Sequence, residues 1–240
     1  MVGSYYEKER SMIRGVFSDT HIPFQHPNYL TFLKDTFKEW GVGEIICLGD
    51  LIDNHAISRF QSEPCADGAY LELYKARDAI KELTETFPNV KMCRGNHDDI
   101  AYRQAATLGI GEVFIKPFRD IYGLPNTWQL EDEYVIDNVL YTHGTGRGGK
   151  HATYNIAVDE RMSTCTGHTH TGGGVIYIAN KTDTIFALNT GCLIDFDKYA
   201  FEYARNAKRR PTLGCGIVVS PSESYFIPMT GKYLEKRRLT

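Results

Sequence analysis

No apolar run in these 240 residues approaches the roughly 18–20 residues that cross a bilayer. The amino-terminal stretch MVGSYYEKER also lacks the apolar core of a signal peptide. Both absences lead to the expectation of a cytoplasmic protein without membrane attachment. Among the six cysteines there is no CxxC pair and no regular spacing, which speaks against a disulfide framework or a structural zinc site. Cys47, Cys93, Cys165 and Cys215 lie instead in apolar or glycine-flanked stretches, as reduced core thiols do. No Pro/Ser/Gly-rich linker, internal repeat or low-complexity tract divides the chain. One domain over residues 11–240 is expected, preceded by a polar, tyrosine-bearing arm over 1–10. Nor does charge of either sign dominate: a net charge of −3 and a pI near 6.2 leave no global footprint for nucleic acid or an anionic membrane.

What the chain does have is a series of short apolar runs, each stopping at glycine or a turn beside a chelating residue. In EIICLGDLID (Glu44–Asp53), Ile45–Leu48 reads as a strand buried on both faces. Gly49 then permits a tight turn that leaves Asp50 at the rim of a sheet, where open α/β sheets place ligands. Taken alone, Asp50 and Asp53 read equally well as caps on the following loop. Upstream, the strand Met12–Phe17 ends in Ser18-Asp19-Thr20-His21, and the two-residue spacing points Asp19 and His21 to one side in extended backbone. Between these strands Leu30, Leu33, Phe37 and Trp40 mark an amphipathic helix over Asn28–Trp40, terminated by Gly41 and Gly43. Strand, helix, strand makes a βαβ crossover, so both strands run parallel and deliver Asp19/His21 and Asp50/Asp53 to the same edge.

A helix over about 69–87 and a strand Val90–Cys93 come next, ending in Arg94-Gly95-Asn96-His97-Asp98-Asp99. After a further helix from Ile100 to about Leu108, residues 109–128 read as a path over the surface; with 195–211 they are the only room for a cap. Glu133–Asp137 and Val139–Thr142 flank a hairpin signal, Asp137-Asn138, and the second strand ends in Thr142-His143-Gly144. TGRGGK lacks the GxxxxGK[ST] pattern and reads as a mobile loop, not a phosphate-binding P-loop. Met162–Thr166 leads into Gly167-His168-Thr169-His170, and strands Val175–Ala179, Thr184–Leu188, Cys215–Ser220 and Ser224–Pro228 complete the chain. A chain that is α/β early and β-rich late suggests two sheets packed face to face with helices outside.

A single histidine is more often an ordinary surface or core residue than a ligand. Here five of the eight histidines stand at strand ends together with three aspartates and an asparagine. The blocks DTH, GDLID, GNHD, THG and GHTH, in that order, resemble those of the calcineurin-like metallophosphoesterase superfamily. The resemblance implies an α/β fold, a four-layer αββα sandwich of two mixed β-sheets that holds two divalent metal ions. The first ion would be bound by Asp19, His21, Asp50 and His170, the second by Asp50, Asn96, His143 and His168, with Asp50 bridging. Mixed oxygen and imidazole ligation suits manganese, the first choice here, and also iron, zinc or nickel. Such a pair of ions about 3.5–4 Å apart supports in-line phosphoryl displacement by a bridging hydroxide. By the same resemblance His97 protonates the leaving oxygen and Asp53 orients it, a task suited to an imidazole pKa.

Departures narrow the substrate. Protein Ser/Thr phosphatases of the superfamily carry arginine after the second aspartate and glutamate after GNH, where this chain has Asn54 and Asp98. The pattern looks more like the phosphodiesterase and nuclease side, so a phosphodiester of a nucleotide or nucleic acid is the expected substrate. A phosphomonoesterase or protein phosphatase, and a non-catalytic scaffold on the same fold, are the alternatives; the complete ligand set disfavours the scaffold. Asn54 and His55 read either as substrate-phosphate donors or as loop hydrogen-bonding groups. Arg147 and Lys150, just after His143, are placed to touch a phosphate. Lys208, Arg209 and Arg210, with Tyr199, Phe201 and Tyr203, read either as a nucleic-acid contact or as a solvated basic turn. A homodimer is left open.

Overall fold

Strand β1 (Arg14–Phe17) sends alternate side chains into two different cores, and the layers of the protein follow from that alternation. Phe17 packs with Leu33 and Phe37 of helix α1 (Tyr29–Glu39). Val16 packs the other way, with Ile46 of β2 (Glu44–Cys47) and with residues of a second sheet. The computed structural model describes residues 12–59, 66–198 and 210–234. The expected amino-terminal arm, and Tyr199, Phe201, Tyr203, Lys208 and Arg209, fall outside them.

After β2 come α2 (Ala69–Thr86), β3 (Val90–Cys93), α3 (Ile100–Thr107), α4 (Phe118–Tyr122) and β4 (Trp128–Glu131). The hairpin β5 (Glu133–Ile136) and β6 (Val139–Thr142) is followed by α5 (Ala152–Glu160), β7 (Ser163–Thr166), β8 (Gly174–Ala179) and β9 (Thr184–Asn189). Strands β10 (Gly214–Ser220) and β11 (Glu223–Pro228) close the described fold. The first sheet has the order β11-β10-β1-β2-β3-β4 and the second β5-β6-β7-β9-β8. Each mixes parallel and antiparallel pairs. Strands β1 to β4 run parallel, as do β6, β7 and β9.

The inner faces meet in a core of Val16, Ile46, Leu48 and Cys93 against Tyr141, Cys165, Phe186 and Leu188. Helices α1, α2 and α4 cover the outer face of the first sheet. Helix α5 lies on the second, where Thr153 and Thr166 share a hydroxyl hydrogen bond of 2.6 Å. The result is the expected αββα sandwich. Arg14 ties the sheets at one end, bonding Glu44 at 2.7 Å and Asp137 of the β5–β6 turn at 2.7 Å. In that turn Asp137 and Asn138 both adopt left-handed backbone, at φ 50° and 57°, as a two-residue type I′ hairpin requires. The five described cysteines are buried and free, and no described helix is long and apolar enough to cross a membrane.

Two stretches differ from the sequence-based expectation. Residues 109–128 do not simply wander over the surface. Leu108, Val113 and Phe114 are exposed, but Phe118, Tyr122, Leu124 and Trp128 enter the main core, and the Trp128 indole donates to Phe87 O at 2.9 Å. Pro117, Gly123 and Pro125 cut this segment into pieces too short to show a period. TGRGGK leads directly into α5, whose apolar face is little more than Ala152, Ile156 and Ala157, diluted by Thr153 and Asn155.

Candidate metal centre

Strands β1, β2 and β3 of the first sheet and β6 and β7 of the second deliver the chelating residues to one edge of the sandwich. The chain leaves these strands through unusual backbone: Asp19, His21, Asp50 and His168 have φ of 50°, 47°, 48° and 65°. Such conformations cost non-glycine residues of order 1–3 kcal/mol and persist only where surrounding structure imposes them. Here backbone bonds impose them, with Asp19 N donating to Gly49 O at 3.0 Å and His21 N to Asp50 O at 3.1 Å. Glycine is required for the close approach of these loops. A Cβ on Gly95 would collide with the Asp50 carboxylate, and one on Gly167 with that of Asp19.

Two groups of donor atoms result. In the first, His170 Nε2 lies 3.1 Å from Asp19 Oδ1 and 3.1 Å from His21 Nε2. In the second, His143 Nε2 lies 3.1 Å from Asn96 Oδ1 and 3.1 Å from Asp50 Oδ2, with the His168 ring 5.0 Å from the His143 ring. Asp50 belongs to both. Its Oδ2 is 3.8 Å from His21 Nε2 as well, while Oδ1 accepts the backbone N–H of His97 at 2.7 Å. The seven sequence-predicted ligands, Asp19, His21, Asp50, Asn96, His143, His168 and His170, therefore converge.

The outer atoms of these ligands are fixed as well. His143 donates Nδ1–H to Leu48 O at 2.9 Å, and His21 donates Nδ1–H to Asp53 Oδ1 at 2.6 Å. Each bond fixes the orientation of the ring and turns Nε2 inward, toward the other donors. Burial opposes ionisation of Asp19, yet His170 and His21 hold its carboxyl well below the usual range. Asp50 is likewise lowered against burial, by His143, His97 and His21. Burial alone would depress His143, but Asp50 and Asp19 lift it to about 9. Burial and the neighbouring His143 push His168 down. Two ionised carboxylates, four imidazoles and an amide oxygen form a donor set that fits two borderline-soft divalent cations.

A third cluster joins His21, Asp53 and His97. His97 donates Nδ1–H to Asp53 O at 2.7 Å, and the Asp53 carboxylate is farther, at 3.5 Å. Asp53 thus orients His97 through its backbone and His21 through its side chain. Burial, then the charge on His21, lowers the His97 pKa.

The sequence-predicted substrate contacts fare unevenly. Asn54 is buried and engaged at both ends, accepting from Tyr122 Oη at 2.6 Å and donating to His97 O at 3.0 Å. It braces the His97 loop, which is the loop-bonding reading of this residue. His55 is also buried, its ring edge-on to Phe24. Arg147 lines the cleft beside His143 but pairs with Asp159 at 2.9 Å. Arg210 lies over the Phe196 ring, 4.8 Å from its centroid. Sequence reasoning passed over Asn189, which ends β9 beneath the His168 loop. Its Nδ2 donates to Gly167 O at 3.0 Å and its Oδ1 accepts Gly191 N at 2.9 Å. The signal was an apolar strand running into Asn189-Thr190-Gly191, the same pattern that marked the ligands.

The family model of the calcineurin-like phosphoesterases matches residues 14–208. The chain belongs to this family. Among solved structures, this calcineurin-like phosphoesterase is similar to a metallophosphoesterase from Sphaerobacter thermophilus, at 16% identity and a TM-score of 0.45 over 92% of this chain and 89% of that one. It is similar to Vps29 from Entamoeba histolytica at 14% identity and a TM-score of 0.45, covering 91% and 93%. The nuclease MPE of Pseudomonas putida matches at 15% identity and a TM-score of 0.36, covering 89% and 87%. No curated protein sequence matches the chain at a significant level.

Behind the centre, Glu72 of α2 accepts the amides of His55 at 2.7 Å and Ala56 at 2.8 Å, holding the loop that follows Asp53. Burial pushes its carboxyl up to about 7, with Asp53 adding to the rise and the two amides opposing it. A folded pKa above the unfolded 4.5 means that folding takes up protons between those values. Stability from this group is present at low pH and is lost as pH rises through about 7. Thermal melts across that window are expected to show a falling midpoint, with a shallower fall for Glu72→Gln. Equal slopes in the two proteins would rule Glu72 out as a contributor.

Proposed function

We propose that this calcineurin-like phosphoesterase is a dinuclear metal-dependent phosphodiesterase acting on nucleotides or nucleic acid. The observation that carries the proposal is the placement of Asp50 Oδ2, 3.1 Å from His143 Nε2 in one donor group and 3.8 Å from His21 Nε2 in the other. Asp19, His21, Asp50 and His170 would hold one cation and Asp50, Asn96, His143 and His168 the other, manganese being the preferred choice. When bound, the cations supply Lewis acidity toward the phosphoryl oxygens and lower the pKa of water at the site.

The chain's own groups do the rest. Asp53 and Leu48 O keep the His21 and His143 rings in their ligating tautomers. His97 keeps Nδ1–H on Asp53 O, and in its imidazolium form would carry a second proton on Nε2 that passes to the departing oxygen, leaving the ring neutral. Preference for a diester is supported by Asn54 and Asp98, which stand where the protein phosphatases of the resembled superfamily have arginine and glutamate.

The test uses metal-stripped protein reloaded with Mn²⁺ and presented with a chromogenic phosphodiester, the matching monoester, and single-stranded and duplex DNA. Cleavage of the diester or DNA in preference to the monoester is the expected result. Turnover confined to the monoester would overturn the diester assignment. Silence on all four with two ions bound would favour a scaffold.

A further inference from the structure

Two open clefts of about 470 Å³ each flank the metal centre, a size that holds a small-molecule ligand. They meet at Asn96 and Arg103, which line both. Their charges differ. The His143 side is rich in carboxylates: Asp99, Asp132, Glu133 and Glu160 line it with Arg94, Arg103 and Arg147, Arg94 faces Asp99 at 3.5 Å and Asp132 at 3.2 Å, and Arg147 pairs with Asp159 at 2.9 Å. On the His97 side the cleft is lined by Ser58, Arg59, His97, Gln104 and Arg103, with no carboxylate among the described residues that form it. Arg59 and Arg103 are both exposed. The partner of Arg103 is a carbonyl and not an acid: its Nη2 donates to Asn96 O at 2.6 Å. Asp99, one turn earlier on the chain, makes its ion pair with Arg94, and Arg103 acts on its charge only as a lesser influence. That bond holds the guanidinium beside Asn96, whose side chain belongs to the centre.

A leaving group must sit beside the proton donor that serves it, and His97 lines only the second cleft. Unneutralised guanidinium groups are the side chains best matched to phosphate, through paired N–H donors. Resting on the phosphodiesterase reading above, we infer that the His97-side cleft is the leaving-group subsite, and that Arg59 and Arg103 there bind a second, non-scissile phosphate. The substrate class that follows is a nucleotide chain, or a dinucleotide bearing a further terminal phosphate on its departing half. The carboxylate-rich cleft beside His143 takes the half that retains the scissile phosphoryl group.

Three thymidine dinucleotides test this: TpT, and the forms carrying one extra phosphate at either the 5′ or the 3′ end. Two readouts are taken, KM and kcat with Mn²⁺-loaded protein and equilibrium affinity with metal-stripped protein. One of the two phosphorylated forms is expected to show about tenfold lower KM and about tenfold tighter binding than TpT. Arg103→Ala and Arg59→Ala should each reduce that preference, Arg103→Lys should retain part of it, and Lys181→Ala, in the exposed β8–β9 turn, should keep it whole. Equal affinity of all three dinucleotides for the unsubstituted protein, or a preference undiminished in both alanine variants, would overturn the inference. Failure of the phosphodiesterase reading looks different, because no dinucleotide would then be cleaved while the affinity preference and its arginine dependence persisted.

Discussion

Asp50→Asn is expected to lower turnover by roughly 10³-fold or more, about 4 kcal/mol of barrier, and to release at least one of two bound cations. The substitution is nearly isosteric, and the amide oxygen can still accept the His97 N–H now received by Oδ1 at 2.7 Å. What it removes is the charge at Oδ2, the atom faced by His143 at 3.1 Å and His21 at 3.8 Å. An amide nitrogen there would turn donors toward the centre, and an amide oxygen there would leave the N–H of His97 unmatched. Metal content by mass spectrometry separates loss of ligation from loss of chemistry, and a melting curve shows whether the fold survives. Two tightly held ions with undiminished turnover would refute the bridging role.

His97→Ala should leave the metal content intact and lower turnover by about 10²–10⁴-fold on esters with poor leaving groups. The side chain joins the cluster of His21 and Asp53, and its backbone N–H, which supports Asp50, survives the change. Nitrophenyl esters, whose leaving oxygen departs without a proton, should lose far less. Plotting the loss against leaving-group pKa gives the decisive slope. A uniform loss across the series would identify the His97 ring as a positioning group beside His21 and Asp53 and not as the acid.

Much of this architecture could be read from the chain because its local signals agree. Helix α1 shows its apolar stripe at Leu30, Leu33 and Phe37, and two glycines mark its end. The hairpin at Asp137-Asn138 announces left-handed residues at the two positions that need them. The candidate ligands were legible because each follows a short apolar strand, so the strand direction fixes the edge to which it is delivered. What escaped depends on contacts between segments distant in sequence. Trp128 reaches the core through Phe87, and nothing local to residues 109–128 indicates that partner. Asp53 divides its backbone and side chain between His97 and His21, a division set by how two loops approach each other. Asn54 is occupied by Tyr122, on a helix whose flanking prolines and glycine hid it.

The glycine contacts beneath the centre bear on how such a protein can change over time. Gly95 admits the Asp50 carboxylate, and Gly167 admits that of Asp19, so four loops from two sheets interlock like stones of one arch. None can lengthen or gain a side chain at these points unless the others move with it. Arg59 and Arg103 stand outside the arch, both exposed, Arg103 on the surface of α3. If the rim arginines select substrate as proposed, substrate choice can drift by single substitutions there while the groups beneath stay fixed. Descendants of one such ancestor would be expected to differ in what they cut long before they differed in how they cut it.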